Sequence, residues 1–239
     1  KYSYRDLLQY GITGDKDAGE QFFKGNQSNG FDFYSFHIFL RKLGWIKALA
    51  LGDFVINFGQ GLTHWQEQAF KKSPAVLNIK RQGAVLKPYT AAGEFNFHRG
   101  AALTMQFKKW QSTIFTSLRK WDAALNGEIV SSVQLSGFHR TKTEWANRNR
   151  VKTFATGANI QYRGSRRHVG FNAIHYSFSI PFGPSGEPYD MYAISGSNWY
   201  NTSIDYSYTY ANCHVYGEIA TDKNFNTAML HGMLISADP

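Results

Sequence analysis

The chain has 239 residues, of which 43% are hydrophobic, 16% aromatic and 18% charged, and its formal net charge is +9. This length is enough for one large domain or two small ones, and the composition excludes a disordered chain. A single cysteine, Cys213, excludes an internal disulfide framework and any multi-cysteine metal site within the chain.

The mean hydropathy is −0.40. No stretch approaches the roughly 18–20 consecutive apolar residues that a membrane-spanning helix needs, which excludes a helical membrane protein. A transmembrane β-barrel is compatible with these values, because its lipid-facing residues alternate with polar ones and the average is ordinary.

Alternation of apolar and polar side chains recurs through most of the chain and predicts β-strands. The clearest case is 198–210, where Tyr200, Ile204 and Tyr208 alternate with small polar residues. About a dozen strands are predicted in this way: 2–12, 31–42, 46–58, 101–108, 111–121, 129–136, 153–162, 173–180, 190–195, 198–210, 211–220 and 226–236.

The strong segments run to about 9–13 residues, close to the roughly 9–11 with which a tilted strand crosses a bilayer. We expect their apolar faces to contact lipid and their Asn, Ser, Thr, Gln and His faces to line a wet lumen. This rule assigns the following residues to the lipid face: Tyr200, Ile204, Tyr206 and Tyr208, and in the segment 173–180 Ile174, Tyr176, Phe178 and Ile180. The alternative is a soluble β-sandwich with one amphipathic sheet face.

The predicted connections differ in length. Asn126-Gly127 and Gly164-Ser165 predict tight hairpins, whereas the proline-rich residues 181–189 predict a long loop. Short turns at one end of a sheet and long loops at the other are typical of outer-membrane barrels.

Residues 64–94 lose the period of two and predict an irregular insertion, with a short helix at 65–71. Folded inward, this insertion would constrict or plug a lumen, and folded outward it would be an external loop. The candidate constriction residues are Trp65, Lys71, Lys72, Lys80, Arg81 and Lys87.

Several motifs in the first half resemble a protein family of the Bacteroidota. They are residues 11–20 (GITGDKDAGE), 30–35 (GFDFYS), 50–54 (ALGDF), 57–62 (NFGQGL), 87–89 (KPY) and 99–102 (RGAA). The family comprises large helix-hairpin-helix domain-containing proteins in which an outer-membrane β-barrel carries a small N-terminal module. The resemblance covers most of residues 1–110 and implies the barrel fold, but it brings no established activity.

Two departures from the family limit what the resemblance implies. Nothing in this sequence matches the helix-hairpin-helix module, so nucleic-acid binding through that module does not carry over. The last residues, Ser236-Ala237-Asp238-Pro239, lack the aromatic residue on which a closing barrel strand usually finishes. We therefore expect that further strands, from a longer protein or another chain, close the barrel.

Basic residues cluster in or beside predicted connections. The candidates for binding anions or lipid phosphate are Arg140, Lys142, Arg148, Arg150, Arg163, Arg166 and Arg167. Facing outward they would pair with lipopolysaccharide phosphates, and facing inward they would favour anions in a pore. The alternatives are charged loop tips without a ligand, and nucleic acid, which this chain alone makes the least favoured partner.

Catalytic patterns are weak. The sequence has no nucleophile elbow, no phosphate-binding loop and no zinc-protease helix. His175 and Ser177 lie two residues apart on one predicted strand and form the best local pair for a lipid hydrolase. Asp15, Asp17 and Glu20 form an acidic group without calcium-loop spacing, which favours a solvated turn. The sequence predicts no enzyme, no cofactor and no metal site.

Together these patterns predict one antiparallel transmembrane β-barrel, or part of a larger one, over residues 1–239 with the insertion at 64–94. We expect it in a bacterial outer membrane as a passive conduit or as a scaffold for other envelope proteins. The alternative is a soluble or surface β-rich module that binds polysaccharide or nucleic acid through basic and aromatic loops.

Overall fold

The predicted alternation produces one antiparallel sheet. The computed structural model describes residues 1–25, 27–28, 30–67, 76–183 and 191–237. Within them the strands are β1 (Tyr2–Tyr4), β2 (Leu8–Asp15), β3 (Phe33–Leu43), β4 (Ile46–Ile56), β5 (Leu86–Pro88), β6 (His98–Phe107), β7 (Trp110–Trp121), β8 (Ala123–Asn126), β9 (Ile129–Val133), β10 (Val151–Arg163), β11 (Arg167–Phe182), β12 (Gly196–Tyr210), β13 (Cys213–Asp222) and β14 (Thr227–Ile235). A 3₁₀ helix spans Val76–Ile79, and helix α1 spans Lys142–Asn147.

Neighbours along the chain pair in the sheet. Its main path runs β1-β2-β3-β4-β6-β7-β10-β11-β12-β13-β14. Strand β5 pairs with β4, and the β8–β9 hairpin joins the sheet where Val130 meets Phe182 of β11. Within the described residues the sheet is not closed into a barrel, and β1 and β14 are its edges.

The two ends of the sheet differ in their connections. At one end, here called the short-turn end, two or three residues join consecutive strands: 5–7, 44–45, 108–109, 164–166 and 211–212. At the other end, the long-connection end, the main-path strands are separated along the chain by the longer intervals 16–32, 57–97, 122–150 and 183–195 and by a short turn at 223–226. Residues 26, 29, 68–75 and 184–190 of these intervals lie outside the described residues. The predicted contrast between short turns and long loops is confirmed.

Strand β12 confirms the predicted separation of faces. Tyr200, Ile204 and Tyr208 are exposed on the outer face, whereas Ser203 and Asp205 between them are 3% exposed. Because cross-strand partners share a face, the pairing of Phe171 with Ile204 continues this outer face onto β11.

Strand β11 corrects the prediction made for 173–180. Ile174 and Phe178, expected on the lipid face, are 2% and 4% exposed and lie on the inner face. The register that pairs Asn172 with Ser203 places every second residue from Asn172 onward inside. Phe178 is buried there against Ala123 and Val130 of the β8–β9 hairpin, an apolar cover that alternation alone cannot reveal. His175 and Ser177 consequently face outward.

The sheet is strongly curved, as one contact demonstrates. Six inter-strand steps separate β4 from β13, which in a flat sheet would amount to about 29 Å. Gln60 follows the end of β4 by four residues, a reach of about 14 Å at most. Its backbone N–H nevertheless donates to Glu218 of β13 at 2.6 Å. The sheet therefore curls until β13 faces the chain that leaves β4.

Other local predictions had mixed outcomes. The Asn126-Gly127 turn is present between β8 and β9, with Gly127 at φ +63°. The strand predicted at 190–195 is wrong for 191–195, which form a turn and irregular chain, and residue 190 lies outside the described residues. Of the helix predicted at 65–71, residues 65–67 are not helical and 68–71 lie outside the described residues, as do 184–189 of the proline-rich loop.

Helix α1 falls within the basic segment after β9, where the sequence predicted only a connection. The Thr141 hydroxyl accepts from the backbone N–H of Glu144, and the Glu144 carboxylate accepts from the backbone N–H of Thr141. This reciprocal capping box starts the short helix. In the part of the chain described, no helix has the length and apolar character required to cross a membrane.

Candidate anion-binding site

Part of the predicted insertion lies on the inner face of the curved sheet. Residues 57–67 and 80–85, here called the interior segment, are two arms joined to each other by hydrogen bonds. The Asn57 backbone N–H donates to Val85 O (3.0 Å), and the Arg81 N–H donates to the Gln60 side-chain oxygen (3.0 Å). The two arms therefore pack as one unit inside the curve.

Glu218 of β13 anchors this segment to the opposite side of the sheet. Its carboxylate is fully buried and accepts from the backbone N–H groups of Gln60 (2.6 Å) and Leu62 (3.1 Å) and from the Ser203 hydroxyl (2.7 Å). Gly59 is required here, because its φ is +48° and a Cβ would lie 2.7 Å from the Glu218 carboxyl carbon. A buried carboxylate with several donors is a stable anchor.

At the short-turn end the interior segment meets the β10–β11 turn around a cavity of ≈ 520 Å³, here called the basic cavity. Among the described residues that line it, the basic ones are Lys80, Arg81, Arg163, Arg166 and Arg167, and the only carboxylate belongs to Asp205. The lining therefore carries an excess of positive charge.

Two cations of the interior segment are held by its neighbours. The Arg81 guanidinium lies over the Trp65 ring, 4.9 Å from its centroid. The Lys80 ammonium donates to Nε2 of His214 at 2.8 Å. Burial lowers the pKa of Lys80; Asp205 opposes this lowering, and Arg163 adds to it. An anion in the cavity would reverse that lowering by favouring the charged ammonium.

Asp205 forms no ion pair with the arginines within the described residues, because its carboxylate contacts other side chains. It accepts from the Asn172 side chain at 2.8 Å and lies 3.2 Å from Nδ1 of His168. Its side chain is only 5% exposed, whereas Arg163, Arg166 and Arg167 are exposed. The arginines are thus left to bind a phosphate or carboxylate, for which the planar guanidinium offers paired N–H donors.

The structure divides the seven predicted anion-binding residues between the two ends of the sheet. Arg163, Arg166 and Arg167 line the basic cavity at the short-turn end. The other four lie at the long-connection end: Arg140, Lys142, Arg148 and Arg150. Of these, Arg148 is occupied within the protein, since it donates to the backbone oxygen of Asp32 at 2.6 Å, and the other three are exposed. They do not form one site.

The predicted constriction residues divide similarly. Trp65, Lys80 and Arg81 line the basic cavity and thereby join the three arginines of the other predicted set. Lys87 lies in β5 and forms an ion pair with Glu67. Lys71 and Lys72 lie outside the described residues.

Sequence reasoning missed His168 and His214, which line the same cavity from β11 and β13. The Nε2–H of His168 donates to the side-chain oxygen of Gln161 at 3.0 Å, and Nδ1 of His214 lies 2.7 Å from the Thr209 hydroxyl oxygen. Both are isolated in sequence, and only the pairing of neighbouring strands brings them to the arginines. The position of His168 just after the predicted Gly164-Ser165 turn is the one signal that the sequence offered, and His214 had none.

The chain was compared with family models, with curated proteins and with solved structures, and no match was found in any of the three. The resemblance to helix-hairpin-helix domain-containing proteins of the Bacteroidota therefore stays a prediction. The function has to be argued from the geometry of the chain itself.

Proposed function

We propose that this chain forms part of the wall of an outer-membrane β-barrel and serves as a scaffold. The interior segment fills the lumen of this barrel. The observation that carries the proposal is one row of exposed apolar side chains across five adjacent strands. Cross-strand pairs connect its members: Ile160, Phe171, Ile204, Ile219 and Met229. We call this the apolar row.

The row one residue away has the opposite character. Asn159, Asn172 and Ser203 are paired across β10, β11 and β12, and each is at most 3% exposed. Asn159 donates to the Asn172 side-chain oxygen at 2.7 Å, and Asn172 donates to the Ser203 hydroxyl at 3.1 Å. Apolar residues outside and hydrogen-bonded polar residues inside are the reverse of a water-soluble sheet, and the arrangement fits a lipid exterior.

Strand length supports the same assignment. Strands β10, β11 and β12 have 13, 16 and 15 residues, enough to cross a bilayer at a tilt. The backbone groups along the free sides of β1 and β14 would have no partner in lipid. We expect these edges to pair with further strands or with another envelope protein.

The interior segment favours a scaffold over a passive conduit, because it occupies the inner face and is fixed by Glu218. We expect the purified full-length protein to give no steady ion-selective steps in a planar bilayer. Steady conductance of the unmodified protein would contradict the scaffold and favour the conduit.

The long-connection end suggests a lipid partner. Outer-membrane barrels carry their long loops on the outside of the cell, where lipopolysaccharide phosphates lie. Arg140, Lys142 and Arg150 are exposed at this end. They are available to pair with these phosphates, so lipopolysaccharide is the lipid partner that we propose.

The lipid exterior is tested by introducing one charge at two depths. Ile204 is in the apolar row, whereas Tyr210 ends β12 and is 70% exposed at the short-turn end. In lipid we expect Ile204→Arg to lower the free energy of unfolding by about 2–4 kcal/mol and Tyr210→Arg by about 0–1 kcal/mol. Denaturant titration of both variants in detergent micelles or vesicles measures this difference.

Equal and small losses in the free energy of unfolding for the two variants would contradict the proposal, because arginine on a water-exposed face costs almost nothing. If the purified protein were monodisperse in buffer without detergent, that observation would also contradict a lipid-facing exterior. Either result would favour the soluble or surface module, with the basic cavity and Trp65 as its polyanion-binding surface.

A further inference from the structure

Three side chains from two long connections meet at the long-connection end. Glu20 and Asp32 come from residues 16–32, and His139 comes from 122–150. All three are buried, at 7%, 9% and 3% exposure, and one potential ligand atom of each lies within 4.8 Å of the others. We call this group the acidic–histidine cluster. The cluster borders a cavity of ≈ 660 Å³ through Asp32 and His139.

The His139 ring is oriented by a carboxylate outside this group. Its Nε2 lies 2.7 Å from an oxygen of Asp122, whose other oxygen accepts the backbone N–H of Asn149 at 2.7 Å. The other ring nitrogen, Nδ1, lies 3.1 Å from Asp32: when protonated it donates to that carboxylate, and when its proton leaves, its lone pair faces the same position and can bind a cation there. A carboxylate that holds the outer nitrogen of a histidine in this way is the usual support of a metal-binding imidazole.

Asp32 supplies an independent sign that a ligand is needed. Its Oδ1 atom is buried and has no hydrogen-bond partner among the described residues, although the side chain is only 1% exposed. Arg148 is adjacent but donates to the backbone oxygen of Asp32 and not to the carboxylate. A buried carboxylate oxygen without a partner is costly, and a cation would satisfy it.

The cluster also has more carboxylates than cations. Glu20 and Asp32, together with the supporting Asp122, place three carboxylates around the single imidazole of His139. The Glu20 carboxylate accepts from the backbone N–H groups of His139 at 2.7 Å and Asp17 at 3.1 Å. Three carboxylates around one imidazole leave room for a divalent cation.

We propose that Glu20, Asp32 and Nδ1 of His139 bind one first-row divalent cation and that Asp122 positions the imidazole. One nitrogen and two carboxylate ligands suit Zn²⁺, whereas Ca²⁺ takes six or more oxygen ligands and Mg²⁺ keeps an octahedral shell of oxygens and water. The bound cation fastens the connection 16–32 to the connection 122–150. This proposal is independent of whether the outer face meets lipid.

The acidic group that the sequence offered contributes only one member. Glu20 belongs to the cluster, whereas Asp17 contacts it through its backbone N–H, which donates to the Glu20 carboxylate at 3.1 Å. The solvated turn predicted for Asp15, Asp17 and Glu20 is therefore wrong for Glu20, which is buried in the cluster.

The test is a zinc titration of the full-length protein after removal of metals with EDTA. We expect one Zn²⁺ per chain by isothermal titration calorimetry and by elemental analysis after dialysis. Asp32→Asn and His139→Gln should each weaken binding at least about 100-fold, since each removes a ligand, and Asp122→Asn should weaken it about 10–100-fold through the lost support of the ring. Glu128→Gln removes an exposed carboxylate in the β8–β9 turn and should leave the affinity unchanged.

A second measurement keeps the proposal testable if a ligand variant does not fold. Co²⁺ added to the unmodified protein should give visible absorption bands that Zn²⁺ abolishes and Ca²⁺ does not. No stoichiometric Zn²⁺, no such bands, or an unchanged affinity in folded Asp32→Asn would overturn the site. Glu94, Asp122 and His139 form a second possible group, so loss of zinc in Glu94→Gln with retention in Glu20→Gln would also overturn the assignment.

Discussion

The basic cavity and the acidic–histidine cluster lie at opposite ends of the curved sheet and have opposite charge and opposite exposure. At the short-turn end Arg163, Arg166 and Arg167 are exposed around a cavity, and a carboxylate partner is lacking for most of the cations that line it. At the long-connection end the carboxylates of Glu20 and Asp32 are buried around one histidine. Exposed cations are stabilised by water, whereas a buried carboxylate needs hydrogen-bond donors, a proton or a cation to offset its burial.

The difference also lies in how each end is assembled. The three arginines are within five positions of one another, and the interior segment brings Lys80 and Arg81 to them. The acidic–histidine cluster joins residues 107 and 119 positions apart. The basic end therefore depends on one anchored segment, while the acidic end depends on two connections meeting.

The largest expected effect is a loss of stability when the Glu218 carboxylate that anchors the interior segment is removed. Glu218→Ala leaves the Ser203 hydroxyl and the N–H groups of Gln60 and Leu62 without their acceptor. Since each buried donor without a partner costs about 1–3 kcal/mol, we expect a loss of about 3–5 kcal/mol in the free energy of unfolding. Urea titration in detergent, followed by tryptophan fluorescence, measures it.

Glu218→Gln is the matched control, because it keeps the shape of the side chain and one acceptor oxygen, and it should cost less. A loss in Glu218→Ala of only about 0.5 kcal/mol, as for ordinary surface changes, would mean that the carboxylate does not hold the segment. The basic cavity would then be independent of Glu218, and the short-turn end would not depend on one anchored segment.

The next effect concerns anion affinity at the basic end. Arg81→Gln and Arg167→Gln each remove one donor group from the basic cavity. We expect each to weaken binding of inorganic triphosphate about 10–100-fold, because a hydrogen bond to a charged group contributes about 1.5–3 kcal/mol. Calorimetry at low ionic strength measures the affinity, which should fall as salt is added.

Arg150→Gln is the control for this experiment, since Arg150 is exposed at the long-connection end. An equal loss of triphosphate affinity in this variant would indicate nonspecific attraction to a positively charged chain. The two ends would then not differ in anion binding.

How far the sequence predicts this fold depends on whether the cause is local. Alternation is local, so it predicted β12 and the exposure of Ile204 correctly. It failed for Ile174 and Phe178, because a face with apolar residues is equally suited to lipid and to a protein cover such as the β8–β9 hairpin. Sequence distance alone could not reveal which of the two covers them.

The same distinction applies to the two charged regions. Arg163, Arg166 and Arg167 are adjacent to one tight turn and were predicted as a cluster. The position of Arg81 beside these arginines depends on the path of the insertion at 64–94. The contact of Asp32 with His139 depends on how two loops pack against each other. Neither has a sequence signal, because loop paths are fixed by tertiary contacts and not by periodicity.

The last expected effect, a change of pH dependence, concerns the long-connection end. Burial raises the pKa of Glu94 from 4.5 to about 8, with added repulsion from Asp32 and an opposing effect of His139. The folded state therefore holds a proton that the unfolded state has lost between about pH 4.5 and pH 8. Stability from this group is complete below pH 4.5 and is lost as the pH rises to about 8.

We therefore expect the free energy of unfolding, measured in EDTA, to fall between pH 5 and pH 8 and the fall to be shallower in Glu94→Gln. Some slope should remain, because the raised pKa of His139 acts in the same direction: its protonated form is favoured in the folded state and is lost as the pH rises. Glu128→Gln is the exposed-carboxylate control and should keep the full slope. A Glu94→Gln profile that is parallel to that of the unmodified protein would mean that the Glu94 carboxyl is already ionised in the folded state. The contrast between the buried acidic groups of the long-connection end and the exposed arginines of the basic cavity would then depend on the acidic–histidine cluster alone.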